Sequence, residues 1–337
     1  MSTRRDFLKQ TGAGLGLTAI AADAAAAAHD IPYKGEHKMP KNLKLLSIKH
    51  SDGSESIGAV VDGGVIDIRA VAKKLGMHAP LTLDELLQGG NADALAKVAA
   101  GAAHSGVPLL AEADITHGRL FVKPGKIICV GLNYRQHAKE IGMPEPRVPP
   151  LFNKYNNSLA AHNTVITLPG KEISVKFDYE TELLIVIGKA CRNVAESEAL
   201  DYVAGYCTSN DFSARDLQLE LPAGQWMIGK TLDNFAPIGP YFVSADLVGD
   251  PNALKLETRV NGELRQSSNT ADFIFNTQQI VAYISKHWTL EPGDIIFTGT
   301  PQGVIAGKPK DKQVWLKAGD EIVSSIEKLG ELKFKLA

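Results

Sequence analysis

An α+β fold dominated by strands is predicted for this chain, and three features of the sequence predict it. From Gly118 onward, short β-rich runs are separated by Pro and Gly turns, helical segments interrupt these runs rather than alternate with them, and the strand–helix–strand rhythm of a parallel sheet is missing. With 337 residues there is room for one large domain or a small domain beside a larger one. An apolar share of 44% and a charged share of 22% are those of an ordinary globular chain. The net charge of −2 gives no electrostatic reason to bind nucleic acid or an anionic membrane. Cys129, Cys191 and Cys207 are too few and too scattered for a disulfide framework or a zinc site, so all three are expected to be buried and reduced.

Taken in order, Arg4-Arg5-Asp6-Phe7-Leu8-Lys9 matches the twin-arginine export pattern. A weakly hydrophobic Gly/Ala-rich stretch follows, ending in alanines that suit cleavage before His29. An anchoring helix fits less well, because the stretch is short and interrupted by Asp23. Residues 1–28 are therefore read as an export signal, with the twin-arginine machinery as partner and a periplasmic or otherwise exported product free of the membrane after cleavage. Residues 29–42, polar and carrying Pro32 and Pro40, read as a linker. Residues 43–117 read as a small N-terminal α+β domain, and 118–337 as the main domain.

In the smaller segment, the runs 57–61 and 65–68 flank the tight turn Asp62-Gly63-Gly64. Thr82 and Glu85 resemble a capping box that opens a short helix ended by Gly89-Gly90, and a second helix is predicted over 92–103. In the larger segment, strands are predicted over 126–130, 177–187 and 294–298, and helices near 133–141, 194–204 and 276–287. Asn261-Gly262 between Val260 and Glu263 is the signature of a two-residue hairpin turn.

Three clusters can carry chemistry. In Asp178-Tyr179-Glu180-Thr181-Glu182-Leu183, a strand places Glu180 and Glu182 on one face, because strand side chains alternate. Neighbouring carboxylates that lead into an apolar run repel one another unless a cation lies between them. Oxygen-only ligation favours Mg²⁺, Mn²⁺ or Ca²⁺ over zinc. Standing alone, Glu-x-Glu reads more readily as a solvated strand end with ordinary surface glutamates. In the second cluster, Ser209 to Gln218, Asp211 can supply a third carboxylate, while Asp216 suits an Arg partner or a helix cap. In the third, His137 and Glu140 share a helix face. A carboxylate there fixes the imidazole tautomer and raises its basicity, as a water-activating general base requires, although an ordinary surface pair has the same spacing.

These segments, in this order, resemble the consecutive motifs of the fumarylacetoacetate hydrolase family. Gly131-Leu132-Asn133-Tyr134-Arg135-Gln136-His137-Ala138-Lys139-Glu140, the Asp-Tyr-Glu-Thr-Glu-Leu run and Asn210-Asp211-Phe212-Ser213-Ala214-Arg215-Asp216-Leu217-Gln218 carry the resemblance. So do Gly229-Lys230-Thr231-Leu232-Asp233 with Pro237-Ile238-Gly239-Pro240, the Val260-Asn261-Gly262-Glu263 turn and Gly299-Thr300-Pro301-Gln302-Gly303-Val304. It runs from Lys123 to the C-terminus, and the 43–116 segment is similar to the small N-terminal domain of some members. The resemblance implies a mixed, rolled β-sandwich and a homodimer. It places Glu180, Glu182 and Asp211 on the ligands of a divalent metal, Mg²⁺ or Mn²⁺ with Ca²⁺ as a further choice. It also places His137 and Glu140 on the water-activating pair, Lys230 on the catalytic lysine, and Gln218 and Thr300 on substrate contacts. The founding hydrolase's fourth acidic ligand has no clear counterpart upstream of His137, as in the acylpyruvate-hydrolase-like members.

The implied activity is metal-dependent hydrolysis of a C–C bond in a small 1,3-dicarbonyl or 2-oxo acid. Decarboxylation or keto–enol isomerisation of a 2-oxo acid is the alternative, and an exported carboxylate-binding protein without catalysis is the third reading. The segments 143–161 and 219–227 are expected to edge the pocket, with Asn153, Tyr155, Asn157, Glu220, Gln225 and Trp226 toward substrate.

Overall fold

Leu183 to Ile187 is an unbroken apolar run, and such a run is stable as a strand only when both its faces are covered. In the computed structural model, which describes residues 38–221 and 224–337, all seven residues of strand Thr181–Ile187 are buried. Leu184 and Val186 enter one core with Phe121, Ile238 and Phe297. Leu183, Ile185 and Ile187 enter another with Ile280, Val281 and Ile284 of helix Thr277–His287. That helix is opened by a capping box between Asn276 and Gln279. The expected export signal and the first part of the expected linker lie outside the described residues.

The largest sheet is mixed. Across it the strands run Gly64–Asp67, Glu55–Val61, Lys44–Lys49, Ala236–Ser244, Val203–Asn210, Thr181–Ile187, Ile295–Phe297, Ile127–Val130 and Leu151–Asn153. Leu159–Ala160 lies parallel to Ala236–Ser244. Leu45 pairs with Phe242, so the N-terminal hairpin extends the same sheet as the later strands. A second sheet orders Glu263–Asn269, Lys255–Val260, Glu321–Ile326, Gly330–Leu336 and Thr164–Ile166. This strand-rich, mixed arrangement is the predicted α+β class. No helix among the described residues is long and apolar enough to cross a membrane. All three cysteines are buried and free.

Local expectations hold where the signal is stereochemical. Asn261 and Gly262 take φ values of 51° and 83° and join Val260 to Glu263, as the hairpin signature requires. Thr82 caps helix Leu83–Gln88 through the Glu85 N–H, and Ala92–Ser105 is helical. The helix expected over 194–204 is instead a 3₁₀ segment, Glu196–Tyr202, that feeds strand Val203–Asn210. Gly205 therefore sits inside a central strand rather than after a helix. A Cβ there would come within 2.3 Å of the Val243 carbonyl, so its glycine reflects close strand approach. The strand expected over 177–187 is also broken. Phe177–Asp178 pairs with Ser213–Ala214, and Glu180 lies between that short strand and the long one.

Candidate active site

The site is built where two central strands end together. Ser209 pairs with Glu182 and Asn210 with Thr181. The Asp211 N–H then donates to the Glu180 carbonyl at 2.8 Å. This register gathers the predicted ligands. One oxygen from each of Glu180, Glu182 and Asp211 lies within 4.8 Å of the others, and all three residues are buried.

Three buried cations hold most of the negative charge. Lys230 Nζ lies 2.6 Å from Glu180 Oε2 and 2.9 Å from Asp211 Oδ2. Lys154 Nζ donates to Asp211 Oδ1 at 2.6 Å. Arg215 places Nη2 2.7 Å from Glu180 Oε1 and donates from Nε to Asp178 Oδ2 at 2.8 Å. Asp178 also accepts the Ile305 and Ala306 N–H groups, tying this network to the 303–307 loop.

Four acids thus face three cations, and the unmatched one is Glu182. Among the described residues its side chain makes no ion pair and accepts one hydrogen bond, from the Gly299 N–H at 2.7 Å. Burial pushes its carboxyl well above the usual range, reinforced by Asp211 and Glu180. Burial also pushes Glu180 up, but Arg215 and Lys230 outweigh it and hold that carboxyl low. A buried carboxyl group without an ion-pair partner, beside two others that converge on it, fits a hard divalent cation held by oxygen.

His137 and Glu140 occupy one face of helix Arg135–Glu140. His137 Nδ1 lies 3.0 Å from Glu140 Oε2. Glu140 Oε1 in turn accepts the Gly303 N–H at 2.9 Å. With Nδ1 donating to the carboxylate, Nε2 is left as the basic ring nitrogen. Gly303 has φ 100°, and a Cβ there would lie 2.3 Å from the Arg265 carbonyl. Gly303→Ala is therefore expected to destabilise the fold by about 1–3 kcal/mol, read as an earlier urea midpoint, and to slow turnover by loosening Glu140.

His137, the three carboxylates, Lys230, Gln218 and Thr300 all line one cavity of about 820 Å³. A larger, more open cleft of about 1390 Å³ in the N-terminal segment gathers none of these residues. Within the site, Gln218 accepts from Arg215 Nη1 at 2.8 Å, which leaves its amide nitrogen available. Thr300 lines the cavity, but its hydroxyl donates to the Thr181 carbonyl and accepts from Gln266. Lys230 is only 2% exposed and committed to two carboxylates, so it balances charge rather than projecting freely at a ligand.

Several expected contacts lie elsewhere. Asn153 and Tyr155 open onto a separate cleft with Lys126 and Trp288, and Asn157 bonds Thr231 and Asp233. Glu220 pairs with Lys176, and Gln225 is not among the lining residues. Trp226 does line the cavity, beside Phe152. Asp216 proves to be a local anchor, accepting from Ser174 and the Val175 N–H. Lys154, Asp178 and Arg215 were not singled out from the sequence. The signal for them was electrostatic, since acids leading into a buried strand require buried cations nearby.

The family description "Fumarylacetoacetate (FAA) hydrolase C-terminal" matches residues 126–337. A mitochondrial oxaloacetate tautomerase of Bos taurus is 41% identical over 268 residues, which cover 80% of this chain and 82% of the relative. The solved fumarylacetoacetate hydrolase of Exiguobacterium antarcticum has a TM-score of 0.70 at 32% identity, covering 87% of this chain and 99% of its own. Maleylpyruvate hydrolase from Sphingobium sp. SYK-6, solved with manganese(II) and pyruvate, has a TM-score of 0.69 at 28% identity, covering 88% and 98%.

Proposed function

Because the chain belongs to the fumarylacetoacetate hydrolase family, we propose that it is a divalent-metal enzyme interconverting the keto and enol forms of a 2-oxo diacid, oxaloacetate or a longer homologue. One observation carries this reading: an all-carboxylate ligand set and a carboxylate-oriented histidine open on the same cavity. The tautomerase named among the relatives supports this reaction over hydrolysis, and the site suits it, since proton transfer needs one positioned base and no attacking water.

Glu180, Glu182 and Asp211 would hold the ion, which supplies Lewis acidity toward the negative charge of an enolate. His137 Nε2 takes the proton from the carbon next to the 2-oxo group. Glu140, fixed by the Gly303 N–H, stabilises the imidazolium that results. The proton is then delivered to the former carbonyl oxygen, giving the enol; the reverse passage regenerates the ketone, and no atom is gained or lost. Arg215 and Lys230 keep the carboxylates in place, and the apolar cavity wall limits water at the reacting carbon.

Hydrolytic C–C cleavage, the first expectation from the motifs, is the second reading. The His137–Glu140 pair favours it, because the same base can activate a water. Chelator-stripped protein, with and without added Mg²⁺ or Mn²⁺, separates the two. Tautomerisation predicts metal-dependent change in the enol absorbance of oxaloacetate without loss of carbon. Cleavage of an acylpyruvate with ¹⁸O from solvent in the product would install the hydrolase instead, and carbon dioxide release would indicate decarboxylation. Silence toward every 2-oxo acid would leave a binding protein. The Arg4-Arg5 leader supports action outside the cytoplasm, which cell fractionation tests. The family resemblance supports a homodimer, which sedimentation tests.

A further inference from the structure

The cavity is larger than its reacting end needs. At about 820 Å³ it falls in the size range of pockets that bury drug-sized ligands, well beyond a four-carbon diacid. Away from the carboxylates its wall is apolar, formed by Met143, Pro146, Phe152, Leu219, Trp226 and Val304. A ligand gripped at its 2-oxo acid end must run its remaining carbons along this wall.

Three Lys or Arg side chains line the cavity: Arg147, Arg215 and Lys230. Arg215 and Lys230 are buried and committed to Asp178, Glu180 and Asp211. Arg147 is exposed, and among the described residues it makes no ion pair or side-chain hydrogen bond. Its neighbour Glu145 is turned toward Arg135, 3.9 Å away, rather than toward Arg147. Pro144, Pro146, Pro149 and Pro150 restrict the backbone around it, which lowers the entropy lost when the segment grips a ligand.

We propose that Arg147 reads a second carboxylate, set several carbons beyond the 2-oxo acid head, and so selects long 2-oxo diacids over monoacids of equal length. The inference rests on the proposed binding of a 2-oxo acid at the Glu180–Glu182–Asp211 cluster and adds the determinant at the far end. A planar guanidinium suits this role, because it offers paired donors to a carboxylate while its faces lie against apolar surface.

The test is calorimetric binding to Mn²⁺-loaded protein of 2-oxoadipate and 2-oxohexanoate, which differ only in a terminal carboxylate or methyl. Wild-type protein is expected to bind the diacid about tenfold more tightly, an effect that shrinks with added salt because Arg147 is exposed. Arg147→Ala should remove that preference and leave monoacid binding unchanged, while Arg147→Lys should keep part of it. Equal wild-type affinities, or a loss of both ligands alike in Arg147→Ala, would overturn the Arg147 assignment and leave the chelating head intact. Failure of wild-type protein to bind either acid would bring down the assignment together with the reading beneath it.

Discussion

Replacing His137 by alanine is expected to lower turnover by roughly 10²–10⁴ while leaving the affinity for Mn²⁺ at its wild-type value. The separation follows from geometry. His137 contacts Glu140 rather than any residue of the carboxylate cluster, and each cluster acid has its own partners in Lys154, Lys230, Arg215 or the Gly299 N–H. Metal titration and steady-state kinetics on one preparation read both halves. Glu140→Gln should fall between the variant and wild type, since the ring remains but loses the carboxylate that stabilises its protonated form. A collapse of metal affinity in His137→Ala would make the histidine a ligand and empty the base position.

The parts of this arrangement that were legible in sequence are those fixed by short-range stereochemistry or by charge that cannot be left alone. Asn261-Gly262 had to be a tight turn, because two successive positive φ values are tolerated by few residue pairs. Glu180 and Glu182 announced a cation because they precede an apolar run. What was not legible depended on parity and on long-range pairing. Near strand Leu151–Asn153, Phe152 lines the cavity while Asn153 opens onto another cleft. A one-residue shift in the assumed face exchanges a polar lining for an apolar one. Lys154 meets Asp211 across 57 positions of sequence, and no local pattern announces that meeting. At 196–202, residues with good helix propensity yield to the strand that must follow, because Val203–Asn210 is claimed on both sides by neighbouring strands.

Glu180 and Glu182, two positions apart, are expected to respond in opposite directions to the same change. Glu180→Gln removes one of the two carboxylates paired with each of Arg215 and Lys230, whose charged groups sit 2.7 and 2.6 Å from it in a buried setting and keep only Asp178 and Asp211. Removing one partner of a buried pair costs about 3–5 kcal/mol, so the metal-free variant should unfold at clearly lower denaturant. Glu182→Gln strips nothing of the kind. The amide oxygen can still accept the Gly299 N–H, and the one acid of the cluster without an ion-pair partner becomes a permanently neutral amide. The metal-free stability of that variant should be unchanged or raised by on the order of 1 kcal/mol. Its metal affinity should nevertheless fall by at least about 100-fold, since losing even an outer-shell partner costs a metal site about 10- to 100-fold. Urea unfolding in chelator, set beside Mn²⁺ titration, measures both quantities. A Glu182→Gln protein that is both less stable without metal and undiminished in Mn²⁺ affinity would mean that Glu182 serves the fold. The opposite pair of results makes its unpaired buried carboxyl the feature that prepares the site for a cation.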